Sequence, residues 1–119
     1  MSTTGIGNKG EDIACHYLQK LGFKILERNF RIRGGEIDII ARDSNELVFV
    51  EVKTRYSHEF GPPLEAITPW KIRYLIKAAQ FYMLKHNQEN SLYRLDAVAV
   101  DFADSADKPQ IELIKNITS

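Results

Sequence analysis

Gly35-Glu36-Ile37-Asp38-Ile39-Ile40-Ala41-Arg42-Asp43-Ser44-Asn45-Glu46-Leu47-Val48-Phe49-Val50-Glu51-Val52-Lys53-Thr54-Arg55 is the stretch on which the fold turns. Residues 36–42 and 46–53 are rich in Ile, Val and Phe, and Asp43-Ser44-Asn45 between them is a turn cluster, so the stretch reads as a β-hairpin. Alternation places Glu36, Asp38 and Ile40 on one face of the first strand and Ile37, Ile39 and Ala41 on the other. In the second strand, Leu47, Phe49, Glu51 and Lys53 share a face, with Val48, Val50 and Val52 opposite. A strand apolar on both faces is expected at the centre of a sheet. This one nevertheless ends in a carboxylate and an ammonium, and pairing across the turn brings Asp38 towards Glu51. Buried charges are costly unless they are paired or hold a metal. A plain Glu51–Lys53 ion pair accounts for two of these groups and leaves Glu36 and Asp38 without a role.

Upstream, residues 5–22 read as a helix, with Ile13, Ala14, Tyr17, Leu18 and Leu21 at helical spacing. Thr3 or Thr4 suits its start and Gly22 its end. Gly7, Gly10 and Ala14 allow a close approach to a neighbour. Glu11 lies at the edge of the apolar stripe, where it can face solvent or a cleft beside the sheet. A first strand is expected over residues 23–30. Lys20, Lys24, Arg28, Arg31 and Arg33 crowd this region, opposed only by Glu27, as a solvated surface or as phosphate contacts. Gly34-Gly35 then turns the chain into the hairpin.

Downstream, Tyr56 to Pro63 is a loop, in which His58 has no flanking His or Cys at metal-ligand spacing and is expected on the surface. Thr68-Pro69 starts a second helix that runs to about His86, with Ile72, Leu75, Ile76, Ala79 and Met83 as its apolar stripe. Lys71, Arg73, Lys77 and Lys85 make it basic, and no acid lies between Trp70 and Asn87. Gln80 flanks the stripe. Residues 94–102 form a further strand and 111–114 a short edge strand.

With 119 residues, 44% hydrophobic and 27% charged, the chain is expected to be a single domain over residues 1–119. Its formal net charge is zero, which alone argues against a strongly basic nucleic-acid binder. The distribution says more: residues 1–85 hold 13 Lys and Arg against 10 acids, and residues 86–119 hold 3 against 6. Acids neutralised by a metal would leave the first region more basic still. One cysteine, Cys15, permits no intrachain disulfide. No apolar run approaches the roughly 20 residues of a membrane span, and no signal peptide is visible, so a cytoplasmic protein without membrane association is expected.

The order helix, three strands, helix, two strands, with Asp38 followed after twelve residues by Glu51-Val52-Lys53, resembles the PD-(D/E)XK nuclease superfamily. Gly10-Glu11, Asn29-Phe30, Gly35-Glu36-Ile37-Asp38 and Phe49-Val50-Glu51-Val52-Lys53-Thr54-Arg55 more closely resemble the YraN-like family of small bacterial proteins, over nearly the whole chain. A looser similarity extends to archaeal Holliday-junction resolvases. Ile37 stands where the superfamily motif has proline. The resemblance implies an α/β fold of the restriction-endonuclease type: a mixed central sheet flanked by helices, with an αβββαβ core. It implies a divalent metal, Mg2+ or Mn2+, on Asp38 and Glu51, with the Val52 carbonyl and Glu11 completing the site. Lys53 would orient water or stabilise charge on the phosphate, as phosphodiester hydrolysis requires. Arg55, Lys71, Arg73, Lys77 and Gln80 are the candidate contacts to DNA. Glu36 is a further candidate ligand, or a partner for Arg55 or a helix cation.

Three functions follow as expectations. They are a metal-dependent DNA nuclease selective for branched or single-stranded substrates, a nucleic-acid-binding module that keeps the fold without cleavage, and a protein-interaction domain. Monomer and homodimer are both open.

Overall fold

In the computed structural model, which describes residues 6–59, 61 and 67–118, the chain runs α1 (Ile6–Lys20), β1 (Lys24–Ile32), β2 (Gly35–Asp43), β3 (Glu46–Arg55), α2 (Pro69–Lys85), β4 (Tyr93–Asp101) and β5 (Gln110–Ile114). Thr3 and Thr4, the expected caps, lie outside the described residues, as do Phe60, Pro62 and Pro63 of the loop and the packing of Gly7. The five strands form one sheet in the order β1-β2-β3-β4-β5. Among the described residues only the β3–β4 pairing is parallel, as its connection through α2 requires; the others are antiparallel. The fold is therefore the expected α/β arrangement of restriction-endonuclease type, with β3 at the centre and β5 at an edge.

Both faces of the sheet are covered, which is why β3 and β4 are nearly continuous in apolar residues. On one face Ala14, Cys15 and Leu18 of α1 pack against Ile39, Ala41, Val48, Val50, Val98 and Val100. On the other, Leu75, Ala78, Ala79, Tyr82 and Met83 of α2 pack against Ile37, Ile40, Leu47, Phe49 and Leu95. Each large side chain buried in these layers contributes about 1.5–3 kcal/mol relative to exposure. The buried stripe of α2 is wider than its sequence pattern suggests: Ala78 and Tyr82 are buried, whereas Ile72 and Ile76 are only partly covered. Tyr82 escapes a purely apolar pattern because its hydroxyl is polar, yet its ring packs edge-on against Phe30 and Phe49.

Helix boundaries follow local chemistry. Thr68 caps α2, its hydroxyl accepting the Lys71 amide at 3.1 Å, with Pro69 in the first turn. Helix α1 ends where Gly22 takes φ +97°, the Phe23 amide donates to the Leu18 carbonyl, and Phe23 tucks into the core.

One expectation fails in an informative way. Strict alternation in β2 would place Ile37 with Ile39, but Ile37 joins Ile40 beneath α2, while Ile39 and Ala41 lie beneath α1. The β2–β3 ladder runs from Asp43–Glu46 to Ile39–Val50, whereas β2 stays paired with β1 as far as Gly35. The alternation therefore breaks at Asp38. The pairs Arg28–Ile39 and Phe30–Ile37 flank Asp38 and Asn29, and Asn29 adopts φ +53°. An Asn tolerates that left-handed conformation better than most residues, so the twist falls where the chain can accept it.

Candidate functional site

The break in β2 opens a gap beside β3, and Asp38 fills it. Its Oδ2 accepts the Val52 amide at 2.8 Å, a bond that a ladder carbonyl would otherwise supply. The N–H and C=O of one strand residue point to the same side, so the Val52 carbonyl faces the same gap.

Glu11 arrives from α1, and Gly10 is what lets it approach. A Cβ at Gly10 would lie 2.0 Å from Thr54 Oγ1 and 3.1 Å from Thr54 Cβ, so only glycine permits the helix to lie this close to β3. Asn29 then ties two carboxylates together: its side-chain amide donates to Glu11 Oε1 at 2.9 Å and to Glu36 Oε2 at 3.0 Å. As a result, Glu11, Glu36 and Asp38 each place one carboxylate oxygen within 4.8 Å of the others.

Around this group the charges are unevenly matched. Arg28 lies 3.8 Å from Glu11 but 2.8 Å from Asp12, and Arg31 lies 3.5 Å from Glu36. Glu51 is buried and stands outside the three-acid group; its Oε2 meets Lys53 Nζ at 3.3 Å and Lys71 Nζ at 3.8 Å. Asp38 has no cation within ion-pair distance among the described residues. Burial, then the negative charge of Glu51, push its carboxyl up to about 8. The Val52 amide opposes this shift, and Glu11 and Glu36 add to it. Four carboxylates thus converge on a sheet end with one of them unneutralised, a donor set of hard oxygens that fits a divalent cation such as Mg2+ or Mn2+.

The remaining candidates are spread along α2 and the end of β3. Lys71 is half-buried against Glu51, whereas Arg73, Lys77 and Gln80 are exposed on the outer side of α2. Arg55 donates to the Thr54 carbonyl, and its Nε is buried without a hydrogen-bond partner among the described residues. Glu36 is paired with Arg31 and Asn29, not with Arg55 or a helix cation. His58 is half-exposed and bonded to Asp101 at the end of β4, away from the acids. Residue-by-residue reasoning gave no role to Asn29 or Tyr74. An Asn inside a strand-like run is a signal in itself, since Asn is disfavoured in strands unless it adopts an unusual backbone. Tyr74 packs over Gly35, where a Cβ would sit 2.9 Å from its hydroxyl; nothing in the helical pattern marks that contact.

Comparison with known proteins gives a consistent result. The model of a family described as Uncharacterised protein family UPF0102 matches residues 10–100. A UPF0102 protein of Geobacter metallireducens is 50% identical over 111 residues, covering 93% of this chain and 89% of that protein. One from Caldicellulosiruptor saccharolyticus is 46% identical over 116 residues, covering 98% of each, and one from Clostridium botulinum is 48% identical over 112 residues, covering 93% and 91%.

Proposed function

The chain belongs to the UPF0102 family, the YraN-like proteins, and we propose that it is a metal-dependent nuclease that hydrolyses phosphodiester bonds in DNA. One observation carries this reading: Asp38 is buried, lacks a cationic partner among the described residues, and shares its space with Glu11 and Glu36 while facing Glu51. Such an arrangement is unfavourable for a purely structural purpose and favourable for holding a cation.

Glu11, Glu36 and Asp38 would hold magnesium or manganese, with the Val52 carbonyl beside them. The bound ion would polarise the phosphate and acidify a water molecule. Lys53 is held by Glu51 at the site's edge, where its side chain can orient water or stabilise charge building on the phosphate. Lys71 also reaches Glu51, and with it the basic start of α2 would meet the substrate backbone. Asn29 keeps Glu11 and Glu36 together before any ion arrives, which reduces the reorganisation that binding requires.

A second reading, a nucleic-acid-binding module with little or no cleavage, draws on the pairing of Glu51 with two lysines, which keeps it outside the three-acid group. A cleavage screen over single-stranded, duplex, flap and four-way-junction DNA, with magnesium or manganese, separates the two. Cleavage that Asp38→Ala and Glu51→Ala abolish, and that Lys53→Ala slows without weakening the metal, supports the nuclease. Salt-dependent binding without cleavage of any substrate supports the module.

A further inference from the structure

Trp70, in the first turn of α2, is 64% exposed, an unusual position for the largest apolar side chain in the protein. Its ring is stacked on Tyr74, with centroids 6.2 Å apart and planes 13° from parallel. Tyr74 is itself fixed against Gly35, and Lys71 Nζ lies 5.3 Å from its ring centroid. Lys71 in turn is 3.8 Å from Glu51, so the aromatic pair is one side chain away from the carboxylates. The Tyr74 hydroxyl is buried beside Gly35 without a hydrogen-bond partner among the described residues, a donor that nothing described satisfies. Arg73 and Lys77, three and seven residues after Trp70, lie along the same helical face and are exposed.

We infer that Trp70 is a stacking platform for an unpaired nucleobase, so that the site's substrates are nucleic acids with a single-stranded segment next to the scissile phosphate. Within a duplex, both faces of each interior base are covered by neighbouring bases; only an unpaired or terminal base can offer a face to Trp70. An aromatic surface beside cations, with no acid on the helix from Trp70 to Asn87, is the pattern that holds a single strand by stacking and phosphate attraction together. Arg73 and Lys77 meet the phosphates that lead away from the stacked base. The inference rests on the nuclease reading for what happens at the carboxylates, but binding can be tested without cleavage.

The chain contains a single tryptophan, so its fluorescence reports on the platform alone. The intact protein, without divalent metal, is titrated with a single-stranded oligothymidylate and with a relaxed, covalently closed circular duplex of mixed sequence, which has neither ends nor loops. The single strand should quench Trp70 and bind at least about fivefold more weakly to Trp70→Ala, while Trp70→Phe keeps most of the affinity. The duplex should neither quench nor discriminate between the variants. Quenching and selective weakening without cleavage would sustain the inference and refute the nuclease. Cleavage that is equal for single-stranded and duplex DNA and indifferent to Trp70→Ala would sustain the nuclease and overturn the inference. A change in sedimentation of Trp70→Ala with no change in oligonucleotide binding would also overturn it, by assigning the ring to contact between protein molecules. Trp70 is exposed, so the melting temperature of Trp70→Ala should match the parent and exclude misfolding.

Discussion

The two ends of the sheet each bury a carboxylate, and they treat it in opposite ways. At the hairpin end Asp96 is wholly buried, yet Arg94 Nε donates to it at 3.0 Å and the Asn116 amide donates at 2.9 Å. The same guanidinium reaches Asp43 and Glu46, both at 2.8 Å, and holds the Asp43 carboxyl below its usual range. At the other end Asp38 receives one backbone amide, and its neighbours are acids. At one end each of these carboxylates has a cation within ion-pair distance; at the other Asp38 has none among the described residues, a place that a proton or an external cation can take. Charge counts cannot make this distinction, since both regions are rich in acids and bases. What differs is geometry: a forked guanidinium can satisfy three carboxylates at once, whereas Lys53 and Lys71 both point at Glu51.

The sharpest way to break the contrast is to create a deficit at the satisfied end. Arg94→Met should cost about 3–5 kcal/mol, because Asp96 would remain buried without its partner, and urea denaturation would measure it. A loss under 1 kcal/mol would mean that the network contributes no more than a surface pair.

The acidic end should respond to pH in the opposite sense to an ordinary salt bridge. Asp38 has a folded value near 8, above its unfolded value of 3.8. Its protonated form is therefore favoured by folding, and that stability is complete below about pH 3.8 and lost as pH rises towards 8. Metal-free stability should fall across this range by at most about 1.4 kcal/mol per pH unit from this group. Asp38→Asn should remove that slope, and magnesium should raise the parent's melting temperature at pH 8 but not that of the variant. A parent that is no less stable at pH 8 than at pH 5, with no response to magnesium, would deny the deficit.

A smaller effect tests how the acidic end is assembled. Gly10→Ala forces α1 away from Thr54 and should cost about 1–3 kcal/mol. Combining it with Thr54→Ala should recover part of that loss, as a double-mutant cycle would show. Strict additivity would mean that the two residues do not limit one another.

The smallest effect belongs to His58, which is half-exposed and bonded to Asp101. Asp101 raises the His58 pKa, and the Ala103 amide, then His58, lower that of Asp101. The pair's contribution is present from about pH 4 to 6.5 and is lost as His58 deprotonates at higher pH. His58→Ala should lower the melting temperature slightly at pH 6 and leave it unchanged at pH 9. A drop of equal size at both values would assign His58 a packing role.

Much of this molecule was legible residue by residue. Period-two apolar runs and the Asp43-Ser44-Asn45 turn marked the hairpin, and the apolar second face of β3 marked it as central. Thr68-Pro69 located the start of α2 to the residue. These features are local, or depend on a repeat that the chain itself carries. The position of Glu11 at the margin of its stripe was readable too, but not what it would meet there.

Sequence by itself determined the order of elements, the burial of the two helix faces and the presence of surplus acids near the end of the central strands, because backbone periodicity and turn chemistry act over a few residues. Tertiary structure alone decided which acids come together. Glu36 joins Glu11 and Asp38 because β2 leaves β3 at Asp38, and because Asn29, on another strand, bonds two carboxylates at once. Glu51 stands apart because two lysines, one of them from α2, converge on it. Each of these outcomes depends on distances between residues far apart in the chain, set by packing on both faces of the sheet, and no periodicity within a single element carries that information.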